Sequence, residues 1–447
     1  MPPAAPVHDV THFGARGDGV TDDGPAIALT MAACARSGGG EVRFPAPGRY
    51  RTGPWSISCN HSVINVEAGA WVLALNASKS WPLGPPSPEP SQGLTDRQAA
   101  PFVLAAAVQN VTLLGGGEID GSGESFWIDH CGNWWCPRWM PNATARNPYA
   151  WRPFLLRIDR SRDVRISNLS FINPAFWCIV PTHSRGITIE RSRVHAATRS
   201  GSYDTPNTDG IEPMWTSDVR VSDVSVVNGD DCMTVKSGSR NVLVERLHCE
   251  HSHGLTVGSL WYDDVENVTY RNVTMKDCSY GPRIKGRRQG NATARDIVFE
   301  NVAMQRTTGA ALQVNMLYET PGSTHTNIGC TATNISYRNI SGDAGSAASF
   351  DCVAGRPCDV ALEHVHVRRG DAWSCGHVRV TAATDVLPPP PADCNGRSGH
   401  PSLPTLPAAA APGPPPAASL RQVSSRELQE FSVQENFSFT KRRRSGA

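Results

Sequence analysis

Seven short stretches repeat one pattern along this chain, and the pattern leaves few folds open. They are Asp163-Val164-Arg165-Ile166, Gly186-Ile187-Thr188-Ile189, Asp218-Val219-Arg220-Val221, Asn241-Val242-Leu243-Val244, Asn267-Val268-Thr269-Tyr270, Asp296-Ile297-Val298-Phe299 and Asn334-Ile335-Ser336-Tyr337. They recur every 23 to 38 residues, break at a polar pair such as Ser167-Asn168 or Glu190-Arg191, and are followed by another short alternating run. Two or three short strands per repeat, with no helix between them, describe an all-β parallel β-helix rather than a doubly wound sheet or a propeller. One coil cannot bury its apolar face alone, so the coils are expected to stack as one domain over residues 7–395, with valines and isoleucines in its core.

The flanking segments read differently. Residues 1–6 are a short extension. In the entry module Val7–Ile57, Asp22 or Asp23 is placed to N-cap an Ala-rich helix over Pro25–Arg36, which Gly38-Gly39-Gly40 ends. Two insertions interrupt the coils. Ser80–Ala100 is rich in Pro, Ser and Gly, and Phe126–Trp151 carries Trp127, Trp134, Trp135, Trp139, Trp151, Cys131 and Cys136. Those tryptophans suit either loop packing or stacking on sugar rings. Residues 396–447 form a Pro/Ala-rich tract with a basic end, too poor in apolar surface to offset chain entropy, and are expected to be disordered.

A net charge of +1 gives no general pull toward nucleic acid or a membrane surface, and no apolar run approaches the ~20 residues needed to span a bilayer. Neither partner is expected, and a monomer is. Thirteen cysteines are many for a reducing compartment. Asn-x-Ser/Thr sequons recur at Asn60, Asn76, Asn110, Asn142, Asn168, Asn267, Asn272, Asn291, Asn334, Asn339 and Asn436. Both features point to secretion, although no charged and apolar leader pattern stands at Met1-Pro2-Pro3.

The chemistry concentrates in four motifs: Asn207-Thr208-Asp209-Gly210, Gly229-Asp230-Asp231-Cys232, Ser252-His253-Gly254 and Arg283-Ile284-Lys285. Asp209 to Asp230 is 21 residues, Asp231 to His253 is 22 and His253 to Arg283 is 30, so each motif lies about one coil beyond the last. Neighbouring strands of a stack sit ~4.8 Å apart, which brings the motifs together. Strand alternation would send Asp230 and Asp231 to opposite faces, one into the apolar core; a bulge or turn after Asn228-Gly229 that lets both face one groove is expected instead.

These four motifs, in this order, resemble those of glycoside hydrolase family 28, the polygalacturonases, which implies a right-handed parallel β-helix acting on the galacturonan of pectin. Glycoside hydrolysis needs one protonated carboxyl and one ionised one, and clustered like charges divide those roles. Coil spacing alone leaves inversion and retention open; the resemblance implies inversion. By motif, Asp230 is implied as the general acid, Asp209 and Asp231 as the groups that position and deprotonate water, and His253 as the group that tunes the acid. Arg283 and Lys285 are implied as the receptors of a galacturonate carboxylate, with Asn207 and Tyr318 as further substrate contacts. No cofactor and no metal is expected.

A solvated polar ladder or a Ca²⁺ site is the plainer reading of the carboxylates. A polysaccharide-binding β-helix without activity, and a hydrolase of rhamnogalacturonan or xylogalacturonan, remain as alternative functions. The resemblance also implies a Cys232–Cys249 disulfide. With an odd number of cysteines at least one thiol stays free, and Cys178 is the candidate. The run Gly254-Leu255-Thr256-Val257-Gly258-Ser259-Leu260 looks more like exo-acting members than endo-acting ones, and the two insertions are expected to close one end of the groove.

Overall fold

The computed structural model describes residues 5–76, 80–86, 97–130, 152–318 and 329–394. Outside these lie the Cys131 and Cys136 pair, Trp134, Trp135, Trp139, Trp151, much of both insertions, the sequons at Asn142 and Asn436, and the tail from residue 395.

The repeat seen in the sequence is one column of a parallel β-helix. Val164 pairs with Ile187, Ile187 with Val219, Val219 with Val242, Val242 with Val268, Val268 with Ile297 and Ile297 with Ile335, each across one coil. All seven are buried. The residue before each explains the recurrent Asp, Asn and Gly: Asp163, Gly186, Asp218, Asn241, Asn267, Asp296 and Asn334 all take positive φ, the left-handed turn that these types tolerate best. A second column of positive φ, at Asn168, Arg191, Asp223, Arg246, Asn272, Asn301 and Asn339, marks the bend that the polar pairs announced.

Two smaller parallel sheets form the wall that carries the site. One contains Trp55–Ile57, Val103–Ala106, Leu156–Asp159 and Ile179–Thr182; the other contains Met233–Val235, Leu255–Leu260, Pro282–Arg287, Ala310–Tyr318, Ser346–Asp351 and Trp373–Gly376. Ile211 joins them, bridging Ile179 on one side and Met233 on the other. Behind this wall Tyr270, Phe299 and Tyr337 stack in register, with centroids 5.2 Å apart at each step. The Tyr270 hydroxyl donates to the Thr256 carbonyl at 2.9 Å, tying the stack to the wall and satisfying its buried polar end.

The N-terminal helix spans Gly24–Ser37 and packs against the strands Val7–Asp9, Gly40–Phe44 and Trp55–Ile57. Gly38 ends it in the left-handed conformation, as expected. The two capping candidates divide the work, the Asp22 carboxylate accepting the N–H of Gly24, the first helical residue, at 3.0 Å. Asp23 stands at the N-cap without a side-chain bond into the helix; its carboxylate instead accepts from the backbone N–H groups of Arg16 and Gly17 at 2.7 and 3.1 Å. Those two donors belong to the preceding turn, so Asp23 anchors the entry loop.

Four disulfides occur among the described residues: Cys34–Cys59, Cys232–Cys249, Cys352–Cys358 and Cys375–Cys394. Cys178, Cys278 and Cys330 are buried free thiols. The Cys232–Cys249 pairing and the free Cys178 are as expected.

Candidate active site

Two bends and two strands assemble the site. Asp209 precedes Ile211, and Asp230-Asp231 lie in the bend just before the strand Met233–Val235, out of strand alternation. The bends are locked together by the motif residues between them. The Asn228 side-chain amide donates to the carbonyls of Thr208 and Asp231 at 2.8 and 3.0 Å, and the Gly229 N–H donates to the Thr208 hydroxyl at 3.1 Å. Gly210 must lack a side chain, because a Cβ there would stand 2.4 Å from the Cys232 carbonyl oxygen. The disulfide from Cys232 to Cys249 then ties this bend to the strand Arg240–Glu250, three residues before His253.

His253 lies against Asp230. Its backbone N–H donates to the Asp230 carbonyl at 2.7 Å, and its Nδ1 stands 3.0 Å from Asp230 Oδ1. The same Oδ1 accepts the Asp231 N–H at 2.8 Å, and Oδ2 accepts from the Asn207 amide at 3.4 Å. Asp231 is held by the cations, with Lys285 Nζ 2.5 Å from its Oδ2 and Arg283 Nη1 3.7 Å from its Oδ1. The expectation of a bend that lets both aspartates face one site holds, their carboxylate oxygens lying within 4.8 Å of one another, but not that of equal exposure: Asp230 keeps some access to solvent, whereas Asp231 is 1% exposed. Two cations compensate the desolvation that made its burial look costly.

Aromatic rings hold the cations in place. The Arg283 guanidinium lies 4.5 Å from the ring centre of Tyr280, and Tyr318 carries Lys285 at 5.3 Å and Arg287 at 4.8 Å. Every motif residue expected at the site is thus brought into one cluster, with Asn207 and Tyr318 at its edges.

The cluster splits its carboxyls into two states. Burial raises the Asp209 carboxyl well above the usual range, and the charges of Asp230, Glu212 and Asp231 push it the same way. Burial pushes Asp230 and Asp231 up as well, but cations outweigh it. His253 holds Asp230 below its ordinary value, and Lys285 with Arg283 and His253 holds Asp231 far below. Burial disfavours the His253 cation, yet Asp230 beside it wins and raises the imidazole pKa. Of the three aspartates, Asp209 is therefore the one driven toward the protonated form, and Asp230 and Asp231 the two driven toward the ionised one.

Ligand atoms of Asp230, Asp231 and His253 lie within 4.8 Å of one another, a spacing that could hold a cation. The position is already served by side chains, since Lys285 neutralises Asp231 and His253 faces Asp230.

Sequence reasoning missed four residues that shape the site. Arg152, fully buried, donates to the Pro206 carbonyl at 2.6 Å and to Asn207 Oδ1 at 2.7 Å, and lies over the Phe176 ring. Glu212 is fully buried beside Asp209, with Lys236 Nζ 3.5 Å from its Oε1. Arg287 lies two residues beyond Lys285 on the same strand. Lys236 had a visible signal, because Thr234-Val235-Lys236 echoes Arg283-Ile284-Lys285.

Comparison with known proteins agrees with this geometry. The sequence profile described as Glycosyl hydrolases family 28 matches residues 91–384. A probable polygalacturonase of Arabidopsis thaliana is 29% identical over 304 residues, an alignment that takes in 66% of this chain and 58% of that relative's length. A polygalacturonase of Prunus persica is 27% identical over 396 residues, covering 85% of this chain and 92% of the relative. In fold, the chain is similar to an exopolygalacturonase from Thermotoga maritima, with a TM-score of 0.69 at 18% identity over 86% of this chain and 93% of that one.

Proposed function

The chain belongs to glycosyl hydrolase family 28, and from that premise we propose that it hydrolyses the α-1,4-galacturonosyl linkages of pectic galacturonan with inversion. One observation carries the reading. Three carboxyls driven in opposite directions share a nearly dry cluster with Lys285 and Arg283, cations suited to a uronate. A polar ladder of structural origin would not need such a split, whereas acid and base catalysis at one bond does.

The roles follow by motif. Asp230 protonates the leaving oxygen, and Asp209 with Asp231 orients and deprotonates the water. In the free site the pull is the reverse of what these roles need, since Asp209 is the carboxyl pushed up and Asp230 one of those held down. Substrate binding supplies the shift: its carboxylate draws on Lys285 and Arg283, weakening the compensation of Asp231, while the sugar strips water from Asp230. Both effects raise the proton affinity of Asp230, and Asp209 is then left free to act as the base. Asn207, held by Arg152, steadies Asp230, and Tyr318 flanks the bound uronate.

A specific observation favours cutting at the chain terminus. On the side of Asp209 away from Arg283, the wall is occupied by Phe154, Phe176 and Trp177, stacked at 4.8 to 5.6 Å between centroids and at most 2% exposed. An open groove would leave such rings accessible to a continuing chain. The four disulfides favour an oxidising compartment, consistent with secretion. Reducing-sugar release from polygalacturonate, run beside rhamnogalacturonan and xylogalacturonan with Asp230→Asn as control, tests the reading. No release from polygalacturonate by the wild type, or equal release by the variant, refutes it.

A further inference from the structure

We propose that the groove floor beyond Lys285 is a subsite for an uncharged sugar, the methyl ester of galacturonate, whose hydroxyls are held by Gln313, Asn315, Ser349 and Asp351. The inference rests on the galacturonan reading above and deepens it: the site takes free carboxylates at the cut and an esterified unit further along the chain.

The register of the wall carries it. Arg283 pairs with Gln313 and Gln313 with Ser349, while Lys285 pairs with Asn315 and Asn315 with Asp351. Leu312, Val314, Met316, Ala348, Phe350 and Cys352 enter the core. The four residues that alternate with them therefore face outward, as Arg283 and Lys285 do on either side of the buried Ile284. Over two coils, about 10 Å at the usual strand spacing, the outward side chains change from two cations through two amides to a hydroxyl and an acid.

The fold itself makes little use of these side chains. Gln313 is 8% exposed, yet among the described residues its side-chain amide has no hydrogen-bond partner; its backbone carbonyl accepts the Tyr337 hydroxyl at 3.3 Å. A polar side chain so nearly buried is ordinarily paired, so an amide left over at the floor of a groove points to a ligand. Asn315 accepts the Leu317 N–H at 3.0 Å through its oxygen and keeps its amide NH2 free among the described residues. Asp351, partly exposed, has no ion pair among them either; burial pushes its carboxyl up, and the Ser349 hydroxyl alone opposes this. Gly376, next in the same column, sets no side chain over it, and a Cβ there would lie 3.5 Å from Asp351 Oδ1. Amides, a hydroxyl and a carboxyl are the donors and acceptors that sugar hydroxyls require. No cation stands in either column beyond Arg283 and Lys285 among the described residues. A free uronate would place its carboxylate near Asp351 without compensation, whereas a methyl ester adds no charge.

The test compares two tetragalacturonates, one wholly ionised and one methyl-esterified on its two reducing-end sugars, so that the sugars at the cut keep their carboxylates in both. Near neutral pH the wild type is expected to prefer the esterified tetramer by about 3- to 30-fold in kcat/KM, the size of a like-charge repulsion near a protein surface. The difference should lie in KM, because the contact is remote from the reacting bond. Asp351→Lys is expected to reverse the preference by gaining on the ionised tetramer; if it does not fold, as judged by its Tm, the isosteric Asp351→Asn carries the test by abolishing the preference. Gln313→Leu should raise KM for the esterified tetramer by about 5-fold more than for digalacturonate, which is too short to reach the subsite. A wild type that cuts both tetramers alike or prefers the ionised one, or Asp351 variants that lose equally on both, overturns the inference. A wild type that cuts neither overturns the galacturonan reading itself, and this inference with it.

Discussion

Lys285 Nζ lies 2.5 Å from Oδ2 of Asp231, so a cation expected to hold a substrate carboxylate holds one of the protein's own in the free site. Arg283 shares the task from 3.7 Å. Binding a uronate is then an exchange of carboxylates around a fixed pair of cations, which couples recognition to the charge state of the acid cluster.

That pairing makes Lys285→Met costly to stability. Breaking a buried pair exposes its partner's desolvation, about 3 to 5 kcal/mol, and Arg283 places the loss at the low end of that range. Denaturant unfolding near neutral pH is expected to show it. Because Asp231 is held below its ordinary value, its contribution is present above that value and is lost as pH falls through the depressed one. The variant should therefore lose most of its deficit toward low pH, where the wild type falls to meet it.

Asp230→Asn is expected to lower kcat by about 10² to 10⁴, the usual worth of general acid catalysis, with Tm close to wild type. An amide keeps the acceptor for the Asp231 N–H and still faces Asn207 and His253. Single-turnover kinetics on trigalacturonate would show the chemical step slowed; activity above about a tenth of wild type would move the acid to another carboxyl.

The alkaline limb of the pH profile should belong to His253. Asp230 raises its pKa, so the imidazolium contribution is complete below the ordinary histidine value and disappears as pH rises through the raised one. The opposite sign holds for Asp230, whose charge is lost as pH falls through its lowered value. The pair is intact only between these limits, giving a bell-shaped kcat/KM. In His253→Gln the alkaline limb should move or flatten while the acid limb stays; a parallel loss at every pH would reduce His253 to a structural part.

Much of this was legible in the sequence because the fold is periodic. The valine columns and their left-handed Asp, Asn and Gly residues repeat at every coil, so each strand confirms the next. The motif residues were legible for a related reason: Asn207, Thr208, Asn228, Gly229 and Gly210 are the ligatures of the two bends, and their types are fixed by close contacts. Arg152 reaches Asn207 across 55 residues of chain and leaves no local trace. Glu212 leaves no local trace either, since only tertiary packing buries it, and the Asp23 carboxylate bonds the turn before the helix, a partner that helix signals do not announce. The split between a buried Asp231 and an accessible Asp230 depends on Lys285 arriving from two coils away, which spacing alone does not decide.

The Cys232–Cys249 disulfide should be a stabiliser with a catalytic signature. It closes a loop of 17 residues, for which the chain-entropy argument gives about 3 kcal/mol. Cys249→Ser is expected to lower the unfolding free energy by that order. Because Cys232 directly follows Asp231, it should also lower kcat more than a remote destabilising change of equal size. Non-reducing peptide mapping of the wild type should recover Cys178 as a free thiol.

The mode of cutting is the prediction on which the reading of the groove depends. Phe154, Phe176 and Trp177 fill the wall beyond Asp209, and Lys236 covers the Trp177 ring, so among the described residues that side offers a polymer no aromatic surface to run along. On the other side, the strands Pro282–Arg287 and Ala310–Tyr318 carry the nearly buried cations Arg283, Lys285 and Arg287 and the partly exposed Tyr318, a concentration of positive charge suited to attract the rest of a polyanionic chain. A substrate that can extend in one direction only must enter by its end, and the closed side then holds one sugar. Early products should accordingly be monogalacturonate alone, with viscosity falling slowly relative to reducing-sugar release. Chromatography of the first few per cent of the reaction decides it: a ladder of oligomers with a rapid fall in viscosity would mean that the chain passes the aromatic wall after all, and would refute the closed end.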